Sequence, residues 1–195
     1  MFQIRIHGRG GQGVVTGAEM LSVAAFIEGR HAQAFPSFGS ERTGAPVVAF
    51  CRIDDKEIRL REPIQDPDCL ILQDPTLLRV MDVFSGLREN GYLLVNSGKT
   101  FEDLHLRALA DKLPPDHAVI VPATELALKH VKRPSPNAAL LGAFAALTGL
   151  VHFDSVKRAI LQAFPGRVGE ANCAAAQEAH DLVMTRQRTA EPAAQ

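Results

Sequence analysis

The chain has 195 residues, of which 46% are hydrophobic and 22% charged, with a formal net charge of -1. That balance suits one globular domain with a sizeable core, and gives no field to hold nucleic acid or a membrane surface. Aromatics at 6% with no Trp leave no base-stacking platform, and no apolar run approaches the ~20 residues of a membrane span.

Phe2 to His7 alternates apolar Phe2, Ile4 and Ile6 with polar residues and predicts a first strand. A glycine turn follows, then a helix from Val14 to Glu28 with Gly29 past its end. A second strand is expected over His31–Phe35. The loop Pro36 to Pro46 is too polar and too interrupted to be an element of its own, and loops of this length are often functional. Val47–Ile53 reads as a third strand, with Glu57–Leu60 pairing antiparallel to it as a hairpin. Further strands are expected at Cys69–Gln73, Tyr92–Val95 and Ala118–Val121. Helices are expected from Thr76 towards Arg88, over Asp103–Lys112 and over Ala123–Lys132. After Pro134-Ser135-Pro136 three helices follow without a strand: Asn137–Thr148, Asp154–Phe164 and Glu170–Arg186. Asn137 and Asp154 are the expected N-caps and Gly149 a C-cap.

The alternation predicts an α/β, Rossmann-like, mainly parallel sheet with helices on both faces, an antiparallel hairpin and a C-terminal helical segment from about residue 137. A single domain would span residues 1–188, leaving a disordered tail over 189–195. Cys51 and Cys69 sit in apolar runs and read as buried core thiols. The seven histidines are scattered, so no metal site is assigned. The chain opens on a strand-like segment rather than a leader peptide, so a cytoplasmic location is expected.

Gly8, Gly10 and Gly13 satisfy G-x-G-x-x-G between a strand and a helix, where free N–H groups and the helix dipole favour an anion. An ordinary dinucleotide site also needs a carboxylate at the end of the second strand, and Ala34-Phe35-Pro36 offers none. Gln12 can cap its own helix, or reach the Ser40–Thr43 loop or a ligand. Arg42 follows the second strand at the same carboxyl edge. It can fork onto phosphate or carboxylate, or pair with Glu41 or a partner subunit. Asp74-Pro75 and Asn96-Ser97 end later strands at that edge; Thr76 is the expected cap of the following helix, and Asp74 is read as a loop carboxylate that caps a helix or faces water rather than as a general base. No catalytic residue is assigned.

Taken together, Gly8-Arg9-Gly10-Gly11-Gln12-Gly13, Gln33-Ala34-Phe35-Pro36 and Gly39 to Val47 resemble the gamma subunit of 2-oxoacid:acceptor oxidoreductases, which include the pyruvate, 2-oxoisovalerate, indolepyruvate and phenylglyoxylate enzymes. The resemblance continues through Asp74-Pro75-Thr76, Val95-Asn96 and Asn137 to Phe144, and covers roughly residues 3–185. It implies a complex that converts a 2-oxoacid to an acyl-CoA. Thiamine diphosphate, Mg and 4Fe-4S clusters would be held by alpha, beta and delta-type subunits, and electrons would pass to ferredoxin or an NAD-linked flavoprotein subunit. It also implies that Gly10, Gly11, Gln12, Gly13, Ser40, Arg42 and Thr43 face the coenzyme A side or a subunit seam. The readings from a different class are an independent nucleotide-binding oxidoreductase and a nucleotide-sensing module.

Overall fold

A computed structural model describes residues 1–37 and 43–190. Its strands are β1 (Phe2–Arg9), β2 (His31–Pro36), β3 (Pro46–Asp54), β4 (Cys69–Leu72), β5 (Tyr92–Asn96) and β6 (Ala118–Val121). They form one sheet in the order β2-β3-β1-β4-β5-β6. The run β1-β4-β5-β6 is parallel, while β3 lies antiparallel to both β1 and β2. The α/β, Rossmann-like class is as expected. The antiparallel element is instead the whole of β3, inserted between the first two parallel strands.

That insertion explains why Glu57–Leu60 forms no strand. Both edges of β3 are already hydrogen-bonded, so a further hairpin arm has nothing to pair with. The segment after β3 is instead held by two buried arginines. On β1, Arg5 donates to the carbonyls of Ile64, Gln65, Val83 and Ser85, and on β3, Arg52 donates to the carbonyl of Glu62 and to the amides of Gln3 and Gln33.

The longer helices are α1 (Val14–Ile27), α4 (Asn137–Thr148), α5 (Phe153–Ala163) and α6 (Arg167–Ala190), with shorter α2 (Arg107–Ala110) and α3 (Ala123–His130). The long helices and α3 pack on one face of the sheet against Ile4, Ile6, Cys51, Cys69 and Ile71. The other face is covered by a 3-10 turn over Pro75–Arg79, by α2 and by irregular chain, around Leu70, Leu72, Leu93 and Val95. β4 and β5 are therefore apolar on both sides, as interior parallel strands require.

The two helices expected on that second face are shortened for local reasons. Asp82 accepts from the Phe84 amide, and Arg5 takes carbonyls from the same stretch, so the turn after β4 stops at Arg79. Thr100 and Asp103 cap each other, and His105 sits at φ 58, so α2 begins only at Arg107. Asn137 and Asp154 each lie one or two residues inside their helices, after Pro136 and His152 respectively, and neither is the cap. Gly149 is the left-handed C-cap that was expected. α6 runs to Ala190, past the expected boundary at 188. Among the described residues no helix is long and apolar enough to cross a membrane.

Two contacts in this architecture are testable. A Cβ built on Gly142 in α4 would lie 2.0 Å from the Ala176 carbonyl oxygen in α6, so the two helix backbones touch there. Gly142→Ala is expected to cost about 3 kcal/mol in urea unfolding, because neither backbone can yield cheaply. An unchanged midpoint would show that the helices separate without penalty.

His7 on β1 is 3% exposed, with both ring nitrogens unpartnered. Burial, reinforced by the charge of Arg5, lowers its pKa to about 4. The unfolded chain takes up that proton near pH 6.5, so stability is full above that value and declines as pH falls towards 4. The loss should approach roughly 3 kcal/mol, at about 1.4 kcal/mol per unit. His7→Leu should flatten the stability curve between those pH values, and an unchanged slope would assign it to other groups.

Candidate functional site

The carboxyl ends of β1, β4 and β5 meet at one edge, and the antiparallel β3 enters from that edge. This is where the glycine turn lies. Gly13 is the N-cap of α1 at φ 71 and ψ 33, a left-handed conformation open to glycine at little cost. A Cβ there would also fall 2.5 Å from the Asn137 Nδ2. The first bond of α1 runs from the Gly17 amide to the Gly13 carbonyl, at 2.9 Å. The amides of Val14, Val15 and Thr16 have no partner among the described residues, as an anion-binding helix start requires.

Gln12 does not cap α1. Its Oε1 accepts from the Arg9 amide at 2.8 Å, and its Nε2 donates to Asp74 Oδ2 at 2.7 Å. The Asp74 carboxylate also accepts from the amide and hydroxyl of Thr76, at 2.9 and 2.6 Å, and lies 3.3 Å from the Arg9 Nε. The Arg9 guanidinium donates to Thr76 Oγ1 and to the Gly44 carbonyl, at 2.7 and 2.9 Å. Burial alone would raise the Asp74 carboxyl. The bonds from Thr76 and Gln12 and the charge of Arg9 outweigh it and hold the group below the usual carboxylate range. Asp74, rather than the expected Thr76, is thus the cap of the 3-10 turn, and a brace of the glycine turn as well.

Other residues join the same corner. The side chain of Gln73 donates to the Gln12 carbonyl at 2.6 Å. Asn96 donates to the Gln73 carbonyl and to Thr124, both at 2.8 Å, and accepts from the Thr124 amide. Asn137 reaches the Gly13 carbonyl at 3.3 Å. Sequence reading noted Asp74 and Asn96 at this edge but missed Arg9, Gln73, Thr124 and the inward turn of Asn137. Only the position of Arg9 inside the glycine run offered a signal.

Of the seven residues singled out as binding candidates, Gly10, Gly11, Gln12, Gly13 and Thr43 come together. Thr43 forms a parallel bridge with Gly10, and the Gly10 amide donates to the Ala45 carbonyl at 2.9 Å. Gly11 and Thr43 are exposed. Ser40 and Arg42 lie outside the described residues.

Among the described residues the strand order departs from that of an ordinary dinucleotide site. Such a site draws its ribose carboxylate from the strand beside β1 on the β2 side, and here β3 occupies that place with the opposite polarity. Cys51 and Cys69 are fully buried, and burial pushes the Cys51 thiol up to about 12 and the Cys69 thiol higher still. They are core thiols, as expected.

Residues 3–182 match the sequence profile of the family described as pyruvate ferredoxin/flavodoxin oxidoreductase. The common gamma subunit of the pyruvate/ketoisovalerate oxidoreductases of Pyrococcus abyssi is 50% identical over 181 residues, which cover 93% of this chain and 96% of that one. The crystal structure of pyruvate oxidoreductase subunit PORC from Thermotoga maritima superposes with a TM-score of 0.77 at 38% identity, covering 92% of this chain and 95% of that one. The fold also matches 2-oxoglutarate:ferredoxin oxidoreductase from Magnetococcus marinus, solved with 2-oxoglutarate, coenzyme A and succinyl-CoA bound. There the TM-score is 0.74 at 18% identity, over 98% of this chain and 32% of that one.

The brace is directly testable. Asp74→Ala leaves the Arg9, Gln12 and Thr76 donors without their acceptor and should cost about 2–3 kcal/mol in chemical unfolding. Gln12→Ala should cost less, and the double variant should lose less than the sum, with a coupling of about 0.5–2 kcal/mol. Strict additivity would mean that the two side chains do not act together. Because the Asp74 carboxyl is held low, its contribution should persist above the ordinary carboxylate range and fade only in acid.

Proposed function

The chain belongs to the pyruvate ferredoxin/flavodoxin oxidoreductase family, as a gamma-type subunit, and we propose that it serves the assembly and the coenzyme A side of a complex that oxidatively decarboxylates a 2-oxoacid to an acyl-CoA. Electrons would leave to ferredoxin or to an NAD-linked flavoprotein subunit. Thiamine diphosphate with Mg would supply the carbanion chemistry and 4Fe-4S clusters the electron path, both held by alpha, beta and delta-type subunits. The burial of Cys51 and Cys69 fits a chain that contributes no cluster ligands from them.

One observation carries the coenzyme A part. Thr43 pairs with Gly10 in the exposed glycine turn, and Ser40 and Arg42 stand close before it in the same segment of the sequence. Backbone donors at the start of α1, with a guanidinium and hydroxyls from that segment, suit the phosphates of coenzyme A. Gln12 contributes by setting the turn, its amide being engaged with Asp74. The polar side chains of this corner are bonded to one another, and none is given a catalytic role.

Tagging the chain at native expression is expected to co-purify larger subunits with a brown iron–sulfur spectrum and 2-oxoacid- and coenzyme A-dependent reduction of ferredoxin or NAD. A colourless, folded chain that comes alone with bound NAD or flavin would overturn the reading. Within the complex, Arg42→Ala should raise the KM for coenzyme A about tenfold, equivalent to about 1.4 kcal/mol, or else weaken assembly. If it changes neither, the role of the loop is refuted.

A further inference from the structure

A cavity of about 730 Å³ opens at the carboxyl ends of β4 and β5, between the 3-10 turn after β4 and the segment after β5. It lies on the face away from α1, where both crossover connections fall short of full helices and leave space between them. Its size is that of a site for a nucleotide-sized ligand, too large for a bare anion.

Its lining divides by chemistry. Leu78, Phe84 and Leu104 give an apolar wall. Arg79 enters from one connection and Lys99 from the other, and neither makes an ion pair with any described residue. Asp103 also lines the cavity, but its Oδ2 is spent on the amide and hydroxyl of Thr100, at 3.1 and 2.8 Å. The cavity therefore presents two cations without a direct ion pair among the described residues, with the charge of Asp103 felt by Lys99, beside an apolar surface. Thr76 forms part of its boundary while bonded to Arg9 and Asp74, which fixes the cavity to the brace of the glycine turn.

We propose that this cavity is a second binding site, for a ligand carrying a di- or polyphosphate on a flat or apolar body. Arg79 and Lys99 meet the phosphates from opposite sides, and the body lies against Phe84 and Leu104. A guanidinium fork and an ammonium on separate segments can engage neighbouring phosphates at once. Free adenine nucleotide and coenzyme A both offer this chemistry. The site differs from the glycine turn in residues and in position, and it does not depend on the assembly role.

Calorimetric titration of the full chain with pyrophosphate, ADP and coenzyme A tests the proposal. At least one of the two nucleotides should bind ten times more tightly than pyrophosphate, and the Arg79→Gln/Lys99→Gln double variant should weaken that binding tenfold or more. Both positions are exposed, so the variant should keep the wild-type melting temperature. Equal affinity for ADP and coenzyme A would identify free nucleotide as a sufficient ligand, and preference for coenzyme A would identify the coenzyme. Arg42→Ala should leave titrations governed by this cavity unchanged, which separates failure here from failure of the glycine-loop reading. No binding at millimolar concentration, equal affinity for pyrophosphate and the nucleotides, or binding indifferent to the double variant would overturn the proposal.

Discussion

The hydrogen bond from Gln12 to Asp74 joins the two connections that diverge from the centre of the sheet. β1 leads into α1 on one face, while β4 leads into the 3-10 turn on the other. Between connections that part in this way a crevice opens, and ligands of open α/β sheets bind there. Here the crevice is bridged by side chains. Arg9 and Thr76 add a second tie, and Gln73 a third from beneath. The glycine turn thus keeps its shape without a ligand, and its unpaired amides are set in advance rather than ordered by what they bind.

The inserted β3 decides what that pre-set turn can be used for. A Rossmann half-site reads a ribose with the strand next to β1, and β3 removes that strand from reach. It also brings Thr43–Ala45 into backbone pairing with Gly10. One change of strand order therefore takes the ribose-reading strand away from β1 and sets Thr43–Ala45 at the turn's side. The same insertion uses both edges of β3, which leaves the following segment to be fixed by the carbonyl bonds of buried Arg5 and Arg52.

Much of this was legible in the residues and some was not. Strand β1 and helices α1 and α5 follow from periodicity, because each packs one consistent face, while β5, β6 and α4 read as apolar runs bounded by turn and breaker residues. The order of the sheet does not, since β3 reads equally well as a hairpin partner of Glu57–Leu60. What decided against the hairpin is a long-range pairing with β1 that leaves no local mark. The short helices after β4 and β5 were overestimated because apolar residues there pack in irregular chain against Leu70 and Leu93. The corner itself was half visible. Asp74 and Asn96 ended strands at the right edge, but Arg9 and Asn137 act across the fold, and Asn137 bonds a glycine 124 positions away. The cationic cavity had no sequence signal at all, for Arg79 and Lys99 meet only through the topology.

The bonding at this edge bears on what its described titratable groups can do. A general base or nucleophile needs a titratable group free to exchange its proton near a reacting atom. At the glycine turn the one buried carboxylate is shared among Arg9, Gln12 and Thr76, and its low pKa makes it a poor base at neutral pH. The nearest imidazole on β1, His7, is sealed in the sheet and neutral. At the glycine turn itself the described groups left outward are the backbone amides at the start of α1, which can hold phosphate and position it. A turn braced in that way is suited to holding a phosphate-bearing ligand in a fixed place.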